Sequence, residues 1–199
     1  MVREGRLMFV AGLVMMLAAA LTTLPARDQA AAQSAPLAEV ATQSASPAEV
    51  ATQQIDPSSP LTLAEARAII EGAIGYARSI NQPVGVSVVD PGGHAISQDR
   101  MDGIGFGALP HANGKAFAAA MLQTPTSELA GLLETSPNRY HSIMNMWPGQ
   151  VYLTGGGILL RVNGRIVGAA GVSGTTGQDA QAVGAGIARW AQMRPGVEQ

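Results

Sequence analysis

No cysteine occurs in the 199 residues. Disulfides, thiolate metal centres, thioether-linked haem, cysteine nucleophiles and a lipidated N-terminal cysteine are therefore excluded. Charge is also scarce, at 13% of residues, and the formal net charge is −2. Without a basic patch to displace counterions, a nucleic-acid partner is not expected. Lysine occurs once, as Lys115, and histidine three times, as His94, His111 and His141. Familiar catalytic signatures are missing as well. Gly171-Val172-Ser173-Gly174 has the wrong spacing for a nucleophile elbow, and no H-E-x-x-H is present. The glycine-rich stretch Asp102–Pro110 lacks the spacing of a phosphate-binding loop.

What the chain does have is glycine, 24 residues of it, and enough length for one ordinary domain with appendages. Arg3 and Arg6 precede the apolar run Leu7 to Leu21, Pro25 breaks it, and Ala30-Ala31-Ala32 offers small residues for cleavage before Gln33. This pattern predicts an export signal over residues 1–32 and a periplasmic or secreted mature chain. The run is near the lower limit of the ~17–25 residues a spanning helix needs, so a retained anchor is the competing reading. Cleavage leaves a mildly acidic protein with no stable membrane insertion. Residues 33–60 are rich in Ala, Pro, Ser and Gln and contain AEVATQ twice, at Ala38–Gln43 and Ala48–Gln53. With little bulky apolar area to bury, they are expected to form a flexible tether.

A folded domain is expected over residues 61–193, with 194–199 as a tail. Thr62 and Glu65 form a capping box, and Leu63, Ala66, Ile70, Ala73, Ile74 and Ala77 repeat at helical spacing. Asn81-Gln82-Pro83 ends that helix. Val84, Val86 and Val88 alternate as a strand, Asp90-Pro91-Gly92-Gly93 turns the chain, and His94 to Met101 returns as the partner. An alanine-rich helix is expected from His111 to Leu122. A second, with Thr124 as cap and Pro125 as first residue, runs through Leu133, and a short one starts near Ser136-Pro137-Asn138. Ile158–Val162 and Arg165–Val172 flank Asn163-Gly164, a strong hairpin turn, and a last helix covers about Gln178 to Met193. This order predicts an α+β domain of three layers with an antiparallel sheet.

Taken together, Leu61 to Trp190 resembles the GlcG/HbpS-like family, also described as haem-degrading or DUF336 domains. The resemblance rests on LTLAEARAIIEGAIGYA, VGVSVVDPGGH, the RMDG of Arg100–Gly103, the GKA of Gly114–Ala116 and the PTSELA of Pro125–Ala130. It continues with Gly155–Gly157 and with VGAAGVSG at Val167–Gly174, followed by Asp179. The order and spacing of these pieces are specific, although no single piece is. The resemblance implies a profilin-like α/β/α fold around a five-stranded antiparallel sheet, and homo-oligomers. One departure is that Gly156-Gly157 precedes Ile158-Leu159, where the family often has Gly-Gly-x-Pro.

Members with a signal peptide and a PTSEL-type helix look like exported haem-binding proteins, so the expected ligand is haem or a related tetrapyrrole. It would be captured or buffered in an apolar pocket with cationic contacts to its propionates. The haem would be b-type and held non-covalently. His111 is the first choice for the iron, since imidazole is a usual haem ligand; the plain alternative is an idle histidine at a helix start. Lys115, one turn later on the same face, is a candidate propionate partner, or else a solvating lysine on an apolar helix. Arg100, between Asp99 and Asp102, is a second candidate anchor or part of a local ion-pair cluster. His94 is a further ligand candidate, or an exposed hairpin residue, and His141 is a weaker one. The PTSELA match puts Thr126 on the haem side as a possible oxygen ligand, against simple helix-start chemistry. Met101, Met144 and Met146 offer thioethers but read better as packing. The competing functional reading is an enzyme that degrades haem or acts on a hydroxy acid or corrinoid. Bound iron can itself activate oxygen, so few protein groups would be needed.

Overall fold

The computed structural model describes residues 59–198. The expected export signal, residues 1–32, and almost all of the expected tether, residues 33–60, lie outside the described residues. Helix α1, Leu63–Ser79, starts as its capping box requires. The Thr62 hydroxyl accepts from the Glu65 N–H at 3.2 Å, and the Glu65 carboxylate accepts from Thr62 N at 2.8 Å. The helix closes at Ile80, and Asn81 takes a positive φ of 53° before Pro83. Strands β1 (Gly85–Val89) and β2 (Ala95–Arg100) form the first hairpin. Helices α2 (Ala108–Leu122), α3 (Thr126–Leu129), α4 (Leu132–Thr135) and α5 (Pro137–Met146) follow. Strands β3 (Gly157–Val162) and β4 (Arg165–Ser173) make the second hairpin, and helix α6, Asp179–Ala191, completes the order. Asn163 and Gly164, at φ 49° and 78°, form the expected turn.

The sheet order is β2-β1-β4-β3, antiparallel throughout. It has four strands, not the five implied by the family resemblance. The reason lies at the outer edge of β3. There the Gly157 N–H donates to the Thr126 hydroxyl at 2.8 Å. At the other end Val162 bridges Val197, while Glu198 N donates to the Arg161 carbonyl at 3.2 Å. A side chain and a C-terminal strap thus stand where a fifth strand would pair.

Helices α1 and α6 cover one face of the sheet, burying Ile69, Ile70, Val86, Val88, Val172 and Trp190 in the main core. Helix α2 covers the other face, and a smaller cluster of Leu129, Leu132, Ile143, Val151 and Leu153 packs on its far side around Ala118. Close approach of α2 depends on Gly171, because a Cβ there would collide with the Ala112 carbonyl oxygen.

Two expectations differ in detail. The segment after Pro125 is two one-turn helices rather than one, and Thr124 caps neither, since its hydroxyl donates to the Leu122 carbonyl at 2.9 Å. Residues 194–198 are built into the domain. Arg194 is buried, and its guanidinium donates to Glu65 Oε1 at 3.1 Å, beside the Trp190 indole N–H at 3.0 Å. Burial alone would raise the Glu65 pKa. The Trp190 and Thr62 donors and the Arg194 charge outweigh it and hold the carboxyl below its ordinary value.

Candidate functional site

Antiparallel pairing gathers the starts of β1 and β3 and the ends of β2 and β4 at one end of the sheet. Gly85 faces Arg100 and Ser173, and Gly157 faces Gly171. The first turn of α2 lies over this end, with the Ala108 backbone pressed against Gly85. His111 and Lys115 follow along α2. The structure therefore brings Arg100, His111, Lys115 and Thr126 to one end of the domain.

Their environments differ. Lys115 is only 3% exposed, contrary to a solvating role. Its ammonium donates to the Val172 carbonyl at 3.0 Å and to Asp179 Oδ2 at 2.6 Å. Asp179 Oδ1 in turn accepts from the Thr175 N–H at 2.9 Å and hydroxyl at 2.6 Å, which fixes the β4–α6 loop. His111 is exposed, and its ring stacks on Tyr152 with centroids 4.2 Å apart and planes 14° from parallel. The Lys115 ammonium lies 5.8 Å from the centroid of that tyrosine ring. Tyr152 is held by its own backbone, whose N–H donates to the Gly114 carbonyl at 3.2 Å. Phe106, in the loop leading into α2, is 89% exposed. The resulting surface is an imidazole on an aromatic shelf, with the lysine–aspartate ion pair beside it.

Arg100 is exposed and donates to the Ile104 carbonyl at 2.8 Å rather than pairing with Asp99 or Asp102. Thr126 is fully buried, its hydroxyl committed to Gly157. His94 stands at the opposite end of the sheet, beyond the Val89–Ala95 pair. There it is exposed and closes a turn with Asp90, Nδ1 to Oδ2 at 3.2 Å. Slight burial would raise the Asp90 pKa, but the His94 backbone and ring donors lower it overall. His141, on α5, is exposed and makes an edge-type ring contact with Tyr140. Among the described residues no group of three His, Cys, Asp or Glu side chains is placed to hold a metal ion. Tyr152 was not anticipated from the sequence: a lone tyrosine in an irregular segment has no periodicity to betray it.

The expected apolar pocket with its cationic edge does not coincide with either of two clefts that flank the site, since neither includes His111 or Lys115. One, of about 350 Å³, lies between α1 and the end of β2 and is lined by Ile74, Arg78, Asp99, Arg100, Met101 and Asp102. The other, of about 460 Å³, borders β3 near Pro125.

Residues 61–188 match the family model described as haem degrading protein HbpS-like. The chain belongs to the HbpS-like family. Several solved structures of HbpS-like proteins share its fold. HbpS of Streptomyces reticuli, solved as a double mutant, is 32% identical with a TM-score of 0.59, over 68% of this chain and 90% of that one. The complex of PduOC with heme is 27% identical at a TM-score of 0.61, over 66% of this chain and 95% of that one. An uncharacterised 15.0 kDa protein of the dhaT-dhaS intergenic region of Citrobacter freundii is 32% identical over 116 residues, 58% of this chain and 81% of its own length.

Proposed function

We propose that this HbpS-like protein is an exported haem-binding protein that captures or buffers haem, with His111 as the iron ligand. Membership of the family and the likeness to a haem-bound neighbour support haem as the ligand. The observation that carries the choice of residue is the exposed His111 imidazole, fixed by its stack on Tyr152. The donor chemistry fits, since a neutral imidazole is a usual axial ligand. With no cysteine in the sequence to form thioethers, the proposed attachment is non-covalent, as for a b-type haem. When bound, haem supplies redox-active iron. The chain supplies the imidazole, the aromatic faces of Tyr152 and Phe106, and Arg100 at the same end as a propionate partner. Lys115, already paired with Asp179, stands beside the shelf. Export is supported by the basic start and apolar run of residues 3–21.

The test is a hemin titration of wild type and His111→Ala, followed at the Soret band. Wild type should saturate with a shifted band, and the variant should bind more weakly with an altered spectrum. A flat wild-type titration would overturn the reading. The description of the matched family favours a second reading, oxidative degradation of the bound haem. That reading requires progressive Soret loss with reductant in the presence of catalase.

A further inference from the structure

The outer edge of β3 is closed at both ends and open in the middle. Val172 N donates to the Gly156 carbonyl at 2.9 Å. Alternation along an antiparallel ladder then turns the backbone groups of Ile158 and Leu160 toward β4, and those of Gly157 and Leu159 outward. At Gly157 the Thr126 hydroxyl accepts the N–H at 2.8 Å and lies 3.4 Å from the carbonyl, standing in for a neighbouring strand. At Arg161 the strap takes the carbonyl through Glu198 N at 3.2 Å. Among the described residues nothing bonds the outward N–H and C=O of Leu159. This single open rung borders the 460 Å³ cleft, a volume in the usual range for small-ligand sites.

The walls of that cleft are unlike. On the α6 side stands the half-buried Ile158, packed against the main core and backed by the almost fully buried Ile187. Gln123, Pro125 and Glu128 form the opposite wall. Arg161 and Glu198 both lean to the turn at Gly164, the first onto its carbonyl and the second onto its N–H. Among the described residues no ion pair engages the exposed Glu128, so the wall facing Pro125 carries an acidic group.

We propose that this cleft binds a short extended peptide segment whose backbone completes the ladder at Leu159. One side chain would be apolar, against Ile158, and the next basic, toward Glu128. Successive side chains of an extended segment point to opposite sides, which matches the two walls. The Thr126 clasp and the strap limit the occupant to about two residues. This site is separate from the haem reading and does not depend on it.

The probe is acetyl-Leu-Lys-methylamide, titrated into the ¹⁵N-labelled full chain while the Leu159 amide is followed by NMR. A saturable shift of that amide is expected. Affinity should fall about two- to five-fold in Glu128→Gln, the size of an exposed ion pair, and similarly for acetyl-Leu-Glu-methylamide. A probe N-methylated at the lysine residue, which loses a ladder donor, should not bind. Absence of a shift, or equal shifts from the N-methylated or glutamate peptides, would overturn the proposal. So would a Leu159 shift that tracks protein concentration without peptide, since a second copy would then occupy the edge.

Discussion

Lys115 Nζ and Asp179 Oδ2 lie 2.6 Å apart, and this pair joins the middle of α2 to the first turn of α6 across 64 residues of sequence. The ammonium is shut from solvent while the carboxylate keeps a small exposed face. The Thr175 donors and the helix N-terminus stabilise the anion further.

Removing one partner leaves a buried charge without its counter-ion. Lys115→Met or Asp179→Asn should each cost about 3 kcal/mol, read as a lower urea midpoint. The double substitution Lys115→Met with Asp179→Leu should recover part of the loss, because no lone charge remains. If the single and double variants were equally unstable, packing rather than charge would explain the loss.

Glu65 makes stability depend on pH with a definite sign. Its carboxyl is held below the ordinary value in the folded protein. The resulting stabilisation is complete above the unfolded glutamate pKa of about 4.3 and is lost as pH falls through the lower, folded value. Urea midpoints should therefore drop below about pH 4, and Glu65→Gln should flatten that part of the profile. The variant should also be less stable at neutral pH by about 3 kcal/mol, since Arg194 loses its carboxylate.

The local signals in the sequence were accurate where the physics is local. The Thr62–Glu65 capping box and the Asn163-Gly164 turn each involve residues within three positions, and both appear as read. The features that were not legible are long-range. Trp190 and Arg194 reach Glu65 over 125 and 129 residues, and no spacing rule links them. Lys115 reads equally as a propionate partner or as a solvating charge on an alanine helix, because no spacing rule ties it to Asp179, 64 residues on. The four-stranded sheet has the same origin, since the Thr126 hydroxyl at Gly157 is a tertiary contact across 31 residues. Of the candidate site, His111 was legible as a residue type; its aromatic shelf was not.

That clasp is testable. Thr126→Val keeps the shape but removes the hydroxyl that satisfies the buried Gly157 N–H. A cost of about 1–3 kcal/mol is expected. Gly157→Ala should be worse, because its Cβ would sit 2.5 Å from the Lys115 carbonyl oxygen and 2.8 Å from Thr126 Cγ2. Thermal melts of both variants against wild type would rank them.

The haem reading makes a spatial prediction that separates the histidines. Strand β1 is five residues long, so its two ends lie roughly 13 Å apart. His111 shares one end with Arg100, whereas His94 lies beyond the other and engages Asp90. A ligand held at His111 should leave His94 untouched, and His94→Ala should titrate with hemin as wild type does. Tyr152→Ala keeps the imidazole but removes the ring stacked 4.2 Å from it. That stack is worth about 0.5–1.5 kcal/mol, so hemin affinity should fall about two- to ten-fold without loss of the ligand's spectral signature. Loss of the signature in His94→Ala, with His111→Ala unchanged, would move the iron to the opposite end of the sheet.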